Sequence, residues 1–303
     1  MIHYTGRVFW KITLVFVLVF TTLSAGIGTT RSAHAEEWYE KYLGEIQLLP
    51  YGFVPNGWEF AAGQKMNIQS NQALYALLGT NYGGDGRVDF ALPDLTSLPV
   101  PDGMGYYIAM TGVFPGRENG GTAMGYGGEV RIFPYTYSPD GWLKLDGSTY
   151  NAQSYPQLYS VIRDVFGSQD GQKFTLPGIS APLRNQPLHF AVAARPMGSL
   201  NGTDMSNQNS EVLLGQTIPF LVPMQTNWKI SDGGIYNVSE YTALFTLLGQ
   251  KFGGDGRNTF GVPDLRNNPY NFQYYTVTTG IYPSRSDRGG GLLQSQEQIQ
   301  FIP

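Results

Sequence analysis

The chain has 303 residues, of which 14% are charged and 14% aromatic, with 39 glycines and 20 tyrosines. A disordered chain would be charge-rich and aromatic-poor, so this composition indicates a globular, turn-rich protein with many short strands. The net charge of −4 gives no electrostatic footprint for nucleic acid. The absence of cysteine excludes disulfides, thiolate zinc sites and cysteine nucleophiles.

The first 35 residues have the pattern of a signal peptide. Basic residues precede an apolar run over residues 12–23, and an A-x-A cleavage site follows at Ala33-His34-Ala35. The run is shorter than the about 20 residues that span a bilayer, which favours export over a membrane anchor. We predict cleavage after Ala35 and a secreted protein, extracellular or at the cell surface, with no membrane contact after cleavage.

The mature chain would keep one histidine, His189, because His3 and His34 lie in the predicted signal peptide. One histidine cannot build a multi-histidine metal site, and a histidine-based triad would rest on it alone. The sequence also singles out no acid–base pair of carboxylates. We therefore predict a protein without a cofactor, a metal or an enzymatic activity.

One sequence unit recurs three times along the mature chain. Its copies align on tryptophans about 85 residues apart, a longer period than the about 20–50 residues of solenoid repeats, so each copy is long enough to be a small domain. Because the tryptophans recur at one position, we predict that they pack in the core, with stacking on sugars as the alternative. They are Trp58, Trp142 and Trp228.

Glycine- and asparagine-rich junctions separate the copies. The tail after the last copy runs from three glycines into an alternating Gln-Ile-Gln-Phe-Ile segment at 298–302. Both flanking segments are therefore predicted to be strands that pair with another subunit, with docking on their own domain as the alternative for the tail. Repeats are predicted at 44–116, 128–197 (degenerate) and 211–284, with flanking segments at 36–43 and 285–303.

Each copy is predicted to begin with a strand, over residues 44–49, 128–133 and 215–220, in which apolar and polar residues alternate as in a half-buried strand. The turn before the tryptophan carries Pro and Gly in the first two copies and neither in the third, so its shape should differ there. A short helix with one apolar face follows. A glycine-rich loop, a short strand ended by Pro and an aromatic strand complete the copy.

The glycine-rich loop reads Gly-Gly-Asp-Gly-Arg in the first and third copies, with Pro-Asp-Leu downstream. The middle copy keeps an Asp-Gly pair but has lost the arginine. Glycine adopts backbone angles that other residues avoid, so the loop is predicted to be a compact corner between helix and strand, retained in all three copies. Its residues are Gly83, Gly84, Asp85, Gly86, Arg87 and Asp94; Asp170 and Gly171; and Gly253, Gly254, Asp255, Gly256, Arg257 and Asp264.

These loop residues are predicted to be structural. An Asp in a glycine loop usually accepts nearby backbone amides, and the arginine is expected to pair with a carboxylate such as Asp94 or Asp264. A calcium site at Asp85, Asp89 and Asp94 is the alternative, although the spacing lacks the regular D-x-D-x-D ladder. The loop is not a phosphate loop, because it lacks the G-K-[ST] ending.

The order of Gly-Trp, helix, Gly-Gly-Asp-Gly-Arg and Phe-x-Leu-Pro-Asp-Leu resembles the phage tail-collar domain and the bacterial microcystin-dependent-protein-like proteins. The resemblance covers residues 44–115 and 215–283, and more weakly 128–195. It implies an α+β fold of three tandem small mixed α/β domains, strand-rich with one short helix each. It also implies trimeric adhesive or structural assemblies and no catalysis. The metal-binding histidines of some phage receptor-binding members are absent here.

Together these features predict a non-enzymatic secreted structural protein, a self-assembling subunit of a cell-surface filament or appendage. Its partner would be itself, as a homo-oligomer or filament formed by strand exchange of its termini. The alternative is an extracellular adhesin that binds a surface glycan or a host receptor. The sequence leaves open whether the three copies form a pseudo-trimer or a linear string.

Overall fold

A computed structural model describes residues 40–117, 123–180, 186–196 and 212–286. The predicted signal peptide, residues 36–39 and all but the first two residues of the tail lie outside these ranges. Within them, no helix is both long enough and apolar enough to cross a membrane.

The first repeat contains five short strands and one helix, in the order that the sequence predicts. Two strands and the helix form a small hairpin layer, and the other three strands form a sheet. The elements are β1 Ile46–Leu49, β2 Trp58–Phe60, β3 Lys65–Asn67, α1 Gln72–Leu78, β4 Asp89–Ala91 and β5 Gly105–Ala109.

The second and third repeats follow the same order, which confirms the α+β class and the single short helix of each copy. The second contains β6 Val130–Phe133, β7 Trp142–Lys144, β8 Thr149–Asn151, a 3-10 turn at Ala152–Ser154, α2 Pro156–Phe166, β9 Lys173–Thr175 and β10 His189–Ala193. The third contains β11 Thr217–Phe220, β12 Lys229–Ile230, β13 Ile235–Asn237, α3 Thr242–Leu248, β14 Thr259–Gly261 and β15 Gln273–Thr276.

The first two repeats share one antiparallel sheet of six strands, in the order β2-β5-β1-β6-β10-β7. The strands of the two repeats meet at the centre of this sheet, where Ile46 of β1 pairs with Ile132 of β6 in an antiparallel bridge. The third repeat forms the matching sheet β11-β15-β12, and a bridge between Glu129 and Phe220 joins it to the second. In each copy a hairpin (β3-β4, β8-β9 or β13-β14) lies outside the sheet.

The opening strands β1, β6 and β11 contact one another in all three pairs. The segment after the opening strand of each copy also contacts the start of the opening strand of a neighbouring copy. These contacts follow a cyclic order: the first copy contacts the third, the third contacts the second, and the second contacts the first. The three repeats therefore close into a ring and do not form a linear string. The contacts are the Tyr51 hydroxyl donating to Leu214 O (2.6 Å), the Leu221 amide donating to Gly128 O (3.1 Å), and the Tyr135 ring packing beside Gly44.

Neighbouring copies share their hydrophobic cores. The buried leucines of α3 lie in one cluster with Tyr51 and Val54 of the first repeat. Those of α1 lie in one cluster with Phe133 and Tyr135 of the second repeat. The boundaries of the repeats stay a prediction, but no copy completes its core from its own residues alone.

The prediction of half-buried opening strands was wrong. Every residue of β1 and β6 is buried, including the polar ones, because the neighbouring copy covers the face that would otherwise meet water. The buried polar side chains of the opening strands are Glu45, Gln47, Glu129, Arg131, Gln216 and Thr217.

Residues 40–43 are part of the ring, which corrects the prediction that all of 36–43 is a strand for another subunit. The Leu43 amide donates to Val113 O at 2.9 Å, and the Val113 amide donates to Lys41 O at 3.0 Å. Tyr42 and Leu43 are buried. This part of the N-terminal segment is therefore paired within its own repeat.

Candidate functional site

In the first glycine loop, the carboxylate of Asp85 organises the backbone. Its Oδ1 accepts the amides of Arg87, Val88 and Asp89 at 2.8, 2.8 and 3.0 Å. These hydrogen bonds hold the pKa of Asp85 down, to about 2, because they favour the charged form. The carboxylate therefore stays ionised and serves as the acceptor that closes the corner.

The third loop repeats this arrangement. Asp255 Oδ1 accepts the amides of Arg257, Asn258 and Thr259 at 2.8–2.9 Å, and these bonds lower the pKa of Asp255. Two exposed loops with the same internal bonding at equivalent positions indicate a shared structural role.

The structure does not show the expected pairing of the loop arginines with Asp94 or Asp264. Asp264 forms a bidentate pair with Arg266, at 2.9 and 2.6 Å, because Arg266 leaves the same turn two residues later. Asp94 accepts the amide and hydroxyl of Thr96. The downstream aspartates are thus satisfied by their own turn.

The middle loop has a different shape, so the expectation that its turn is retained was wrong. Gly167 has φ −73°, whereas its counterpart Gly83 has φ 116°. The Ser168 hydroxyl accepts the Lys173 amide at 3.0 Å and donates to Asp170 at 2.5 Å. The middle copy has a serine where the other copies have glycine, and serine cannot easily adopt a positive φ. The loop amides that one aspartate accepts in the other copies are accepted here by two side chains, Ser168 and Asp170.

Substitution of Gly84 tests whether these corners need glycine. Gly84 has φ +96°, and an added Cβ would fall against the backbone of Phe90. We expect Gly84→Ala to lower the free energy of unfolding by about 2–4 kcal/mol, from backbone strain plus the clash. Gly79 also has a positive φ, but its Cβ would meet only Asn81 at 4.0 Å. Gly79→Ala should therefore cost less, about 1–3 kcal/mol from backbone strain alone. Equal costs in urea unfolding would contradict the close approach at Gly84.

Across the described ranges, no three acidic or histidine side chains are grouped so as to hold a metal ion. Of the three carboxylates in the calcium alternative, Asp85 and Asp94 bind their own turns as above. Asp89 accepts the Asp85 amide at 2.9 Å and pairs with Lys65 at 3.2 Å. The geometry gives that alternative no support.

The three tryptophans are buried, with 4–5% of each residue exposed. Trp142 lies against Tyr42 of the N-terminal segment, and Trp228 lies edge-on to Tyr126, which precedes the second repeat, at 5.1 Å between ring centroids. Trp58 belongs to the cluster that joins the first and third repeats. Each tryptophan therefore packs at a junction between copies.

His189 is buried beside Ser138, with 3.0 Å between Nε2 and Oγ. Burial lowers the pKa of His189 to about 4, so the ring is neutral at physiological pH. His189 is thus part of the core of the second repeat.

A buried polar centre lies where the opening strands meet, and we define it by five residues: Glu45, Gln47, Glu129, Arg131 and Gln216. In each copy the residue after the first glycine accepts the backbone amide three positions earlier. The three bonds are Tyr42 N to Glu45 (2.9 Å), Tyr126 N to Glu129 (2.9 Å) and Leu213 N to Gln216 (3.1 Å).

Arg131 ties two copies together through this centre. Its Nη1 donates to Glu45 of the first repeat at 2.6 Å, and its Nε donates to Glu129 at 2.7 Å. The same Nη1 donates to Glu40 O at 2.9 Å. The side chains of Arg131, Glu45 and Glu129 are all about 1% exposed or less. Burial raises the pKa of Glu45, and the Arg131 charge opposes that shift.

Glutamines and a threonine join the third copy to the same centre. Gln216 donates to Gln47 at 2.5 Å, and Gln47 donates to Glu45 at 2.6 Å. The Thr217 hydroxyl donates to Leu48 O at 2.5 Å. The polar centre therefore contains side chains from all three repeats, and its parts differ between copies.

Sequence reasoning missed this centre, because a polar residue in an alternating strand is normally assigned to solvent. The available signal was the recurrence of Glu, Glu and Gln directly after the first glycine of each copy. A polar side chain of similar shape that recurs at the same position of every repeat is a candidate for the same internal contact in each copy, even though one of the three, Gln216, is uncharged.

The comparisons with known proteins agree with this geometry. The family model described as the phage tail collar domain matches three times, at residues 44–100, 128–181 and 215–269. The chain belongs to the phage tail collar domain family, and the matches coincide with the three copies. No curated protein and no solved structure matches the chain. The family is structural and non-enzymatic, and in phage tails it forms part of multi-subunit structures.

Proposed function

We propose that the protein is a secreted, non-enzymatic subunit of a cell-surface filament or appendage that assembles by strand exchange. The observation that carries this proposal is the closed ring, in which three collar repeats of one chain contact each other in cyclic order. Collar domains build multi-subunit structures, and the fused ring would supply one such layer per chain. The signal peptide predicted at 1–35 supports export.

In this proposal, only segments that are not already paired within the ring are available for strand exchange. Residues 40–43 are paired inside the ring, and Ser286, the second residue of the tail, is the last described residue of the chain. The C-terminal tail is therefore the main donor in this proposal, with residues 36–39 as a minor one. A head-to-tail contact of this kind propagates into a filament when it does not close.

Electron microscopy of the mature chain, beginning at Glu36, tests the proposal. We expect polymers of ring-sized subunits from the full chain and their loss when residues 287–303 are removed. A monodisperse monomer whose size is unchanged by that removal would contradict assembly.

Exposed aromatic rings favour the adhesin as a second candidate function. Phe114 and Tyr282 occupy equivalent positions in the first and third repeats, and both are more than half exposed. Exposed rings of this kind stack on sugars. Binding to a glycan array that is lost in Tyr282→Ala would support an adhesin, and an array without any signal would count against it.

A further inference from the structure

The first and third repeats each end in a segment that crosses the next copy of the ring in the same way. Arg117, after the first repeat, lies over the Tyr137 ring of the second, with 4.2 Å to the ring centroid. Arg285, after the third repeat, lies over the Phe53 ring of the first at 5.0 Å. The start of the tail thus repeats the path of the covalent linker.

Backbone pairing fixes the start of the tail on the first repeat. The Asn56 amide donates to Ser284 O at 2.8 Å, and the Ser286 amide donates to Val54 O at 2.9 Å. The last described residues are therefore held at the junction of the third and first repeats.

Beyond this point the tail cannot follow the linker path in its own ring. After Arg117 the chain enters the second repeat at Ala123, which forms a parallel bridge with Pro196. In the first repeat the corresponding bridge joins Tyr42 to Val113, so residues 40–43 already fill that place. Residues 287–303 amount to about 55 Å of extended chain, which is long enough to reach a surface outside their own ring.

An apolar groove lies between the loop at 98–101 of the first repeat and the loop at 267–270 of the third. Its volume is about 210 Å³, below the about 300–1,000 Å³ of typical small-ligand pockets. It therefore suits the side chains of a bound segment better than a whole small molecule. Its lining includes Leu98, Val100, Tyr106, Tyr270 and Tyr274.

The lining of the groove is uncharged apart from one neutralised carboxylate. Asp264 lies at its rim and is paired with Arg266. Burial raises the pKa of Tyr106 and Tyr274, so their hydroxyls are neutral. Within the described ranges these hydroxyls have no protein partner. The groove thus offers aliphatic walls and free neutral hydroxyls.

The tail has matching chemistry. After its glycines come Leu292 and Leu293, and glutamines alternate with apolar residues over 298–301, before Ile302 and Pro303. Glu297 is the one charged side chain between 289 and 303. Glutamine amides hydrogen-bond to hydroxyls, and a short aliphatic or aromatic side chain fills an apolar groove.

We infer that residues 292–303 of one copy seat in this groove, between the 98–101 and 267–270 loops, of a second copy of the chain. This inference rests on the proposed function, because it names the acceptor surface of the assembly contact. The tail is the donor and the junction of the first and third repeats is the acceptor, so each ring can give one tail and receive one.

Thiol cross-linking of the full mature chain tests the inference without background, because the chain has no cysteine. A chain with Val100→Cys is mixed with a tagged chain carrying Phe301→Cys, and a short bismaleimide is added. A seated tail raises the local thiol concentration, so we expect roughly tenfold more mixed product than random collision gives. The matched control is Val88→Cys, an exposed valine that does not line the groove.

Five results would overturn the inference. Equal yields from Val100→Cys and Val88→Cys would mean random collision. If a chain that carries both Val100→Cys and Phe301→Cys gives only an internal cross-link, the groove would be assigned to the chain's own tail. If a soluble polysaccharide blocks maleimide labelling of Val100→Cys and no mixed product forms, the groove would be assigned to a glycan. Polymers that persist by microscopy without any mixed product would refute the groove and leave the proposed function standing, whereas a chain that forms no polymers refutes both.

A charge placed in the groove gives an independent readout. Val100→Asp should reduce the polymer fraction in sedimentation roughly tenfold, because burial of an unpaired carboxylate disfavours the contact. Val88→Asp should leave the fraction unchanged. Equal effects of the two substitutions would also overturn the inference.

Discussion

Replacement of Arg131 with alanine is expected to lower the free energy of unfolding by about 3–5 kcal/mol at neutral pH. Arg131 neutralises Glu45 of the first repeat and Glu129 of its own, and both carboxylates are fully buried. Without the guanidinium, two charges stay in the core uncompensated. Chemical denaturation of the variant and the parent chain measures the difference.

The pH dependence separates this electrostatic cause from a loss of packing. Burial already raises the pKa of Glu45 in the folded state, and removal of Arg131 removes the charge that opposes that shift. The folded state then binds protons more tightly than the unfolded state, so stability is lost as pH rises and regained as pH falls towards about 4.3. The deficit of Arg131→Ala should therefore shrink on acidification.

Two further variants keep this prediction falsifiable. Arg163 has a side chain that is 63% exposed and lies near Asp164 at 3.7 Å, so Arg163→Ala should change stability by less than about 1 kcal/mol. Glu129→Gln added to Arg131→Ala should recover part of the loss, because Gln216 accepts the equivalent amide in the third repeat. An Arg131→Ala chain that is as stable as the parent at every pH would refute the role of the polar centre.

Trp142→Ala is expected to cost about 3–5 kcal/mol, because it leaves a cavity where two repeats meet. The indole contacts Tyr42 and Phe133, with ring centroids 6.2 and 5.4 Å away, and the Arg131 guanidinium lies 5.0 Å above it. Its Nε1 donates to the Tyr42 hydroxyl at 3.3 Å. The loss therefore affects the second repeat and the N-terminal segment together.

Two comparisons identify the cause of that loss. Trp142→Phe keeps a ring in place and removes the hydrogen bond, so it should cost only about 1–2 kcal/mol. Phe114→Ala, at an aromatic residue that is 53% exposed, should be within about 0.5 kcal/mol of the parent. A Trp142→Ala chain that unfolds like the Phe114→Ala chain would show that the junction does not depend on the indole.

Local features of the fold could be predicted from the sequence because they are written into each copy. The three tryptophans and the aspartate loops recur with nearly constant spacing, and apolar periodicity marks the helices. The corner at Gly84 depends on a backbone angle that only glycine adopts easily, so its residue type reveals its role.

The arrangement of the copies could not be predicted, because it depends on contacts between residues far apart in sequence. Glu45 and Arg131 alternate with apolar neighbours as surface residues do, and only the packing of neighbouring copies against one another buries them. Residues 40–43 have the pattern of a free strand, yet Val113 pairs with them. The middle loop kept its Asp-Gly pair and still changed shape, since Ser168 replaces a glycine.

Equilibrium unfolding tests the central claim, that the three repeats form one ring with shared cores. We predict a single transition of the mature chain, coincident by tryptophan fluorescence and far-UV circular dichroism, with equal calorimetric and van't Hoff enthalpies. Two or three separate transitions, or a fragment of residues 44–116 that alone is as stable as the whole chain, would contradict the ring and restore the linear string.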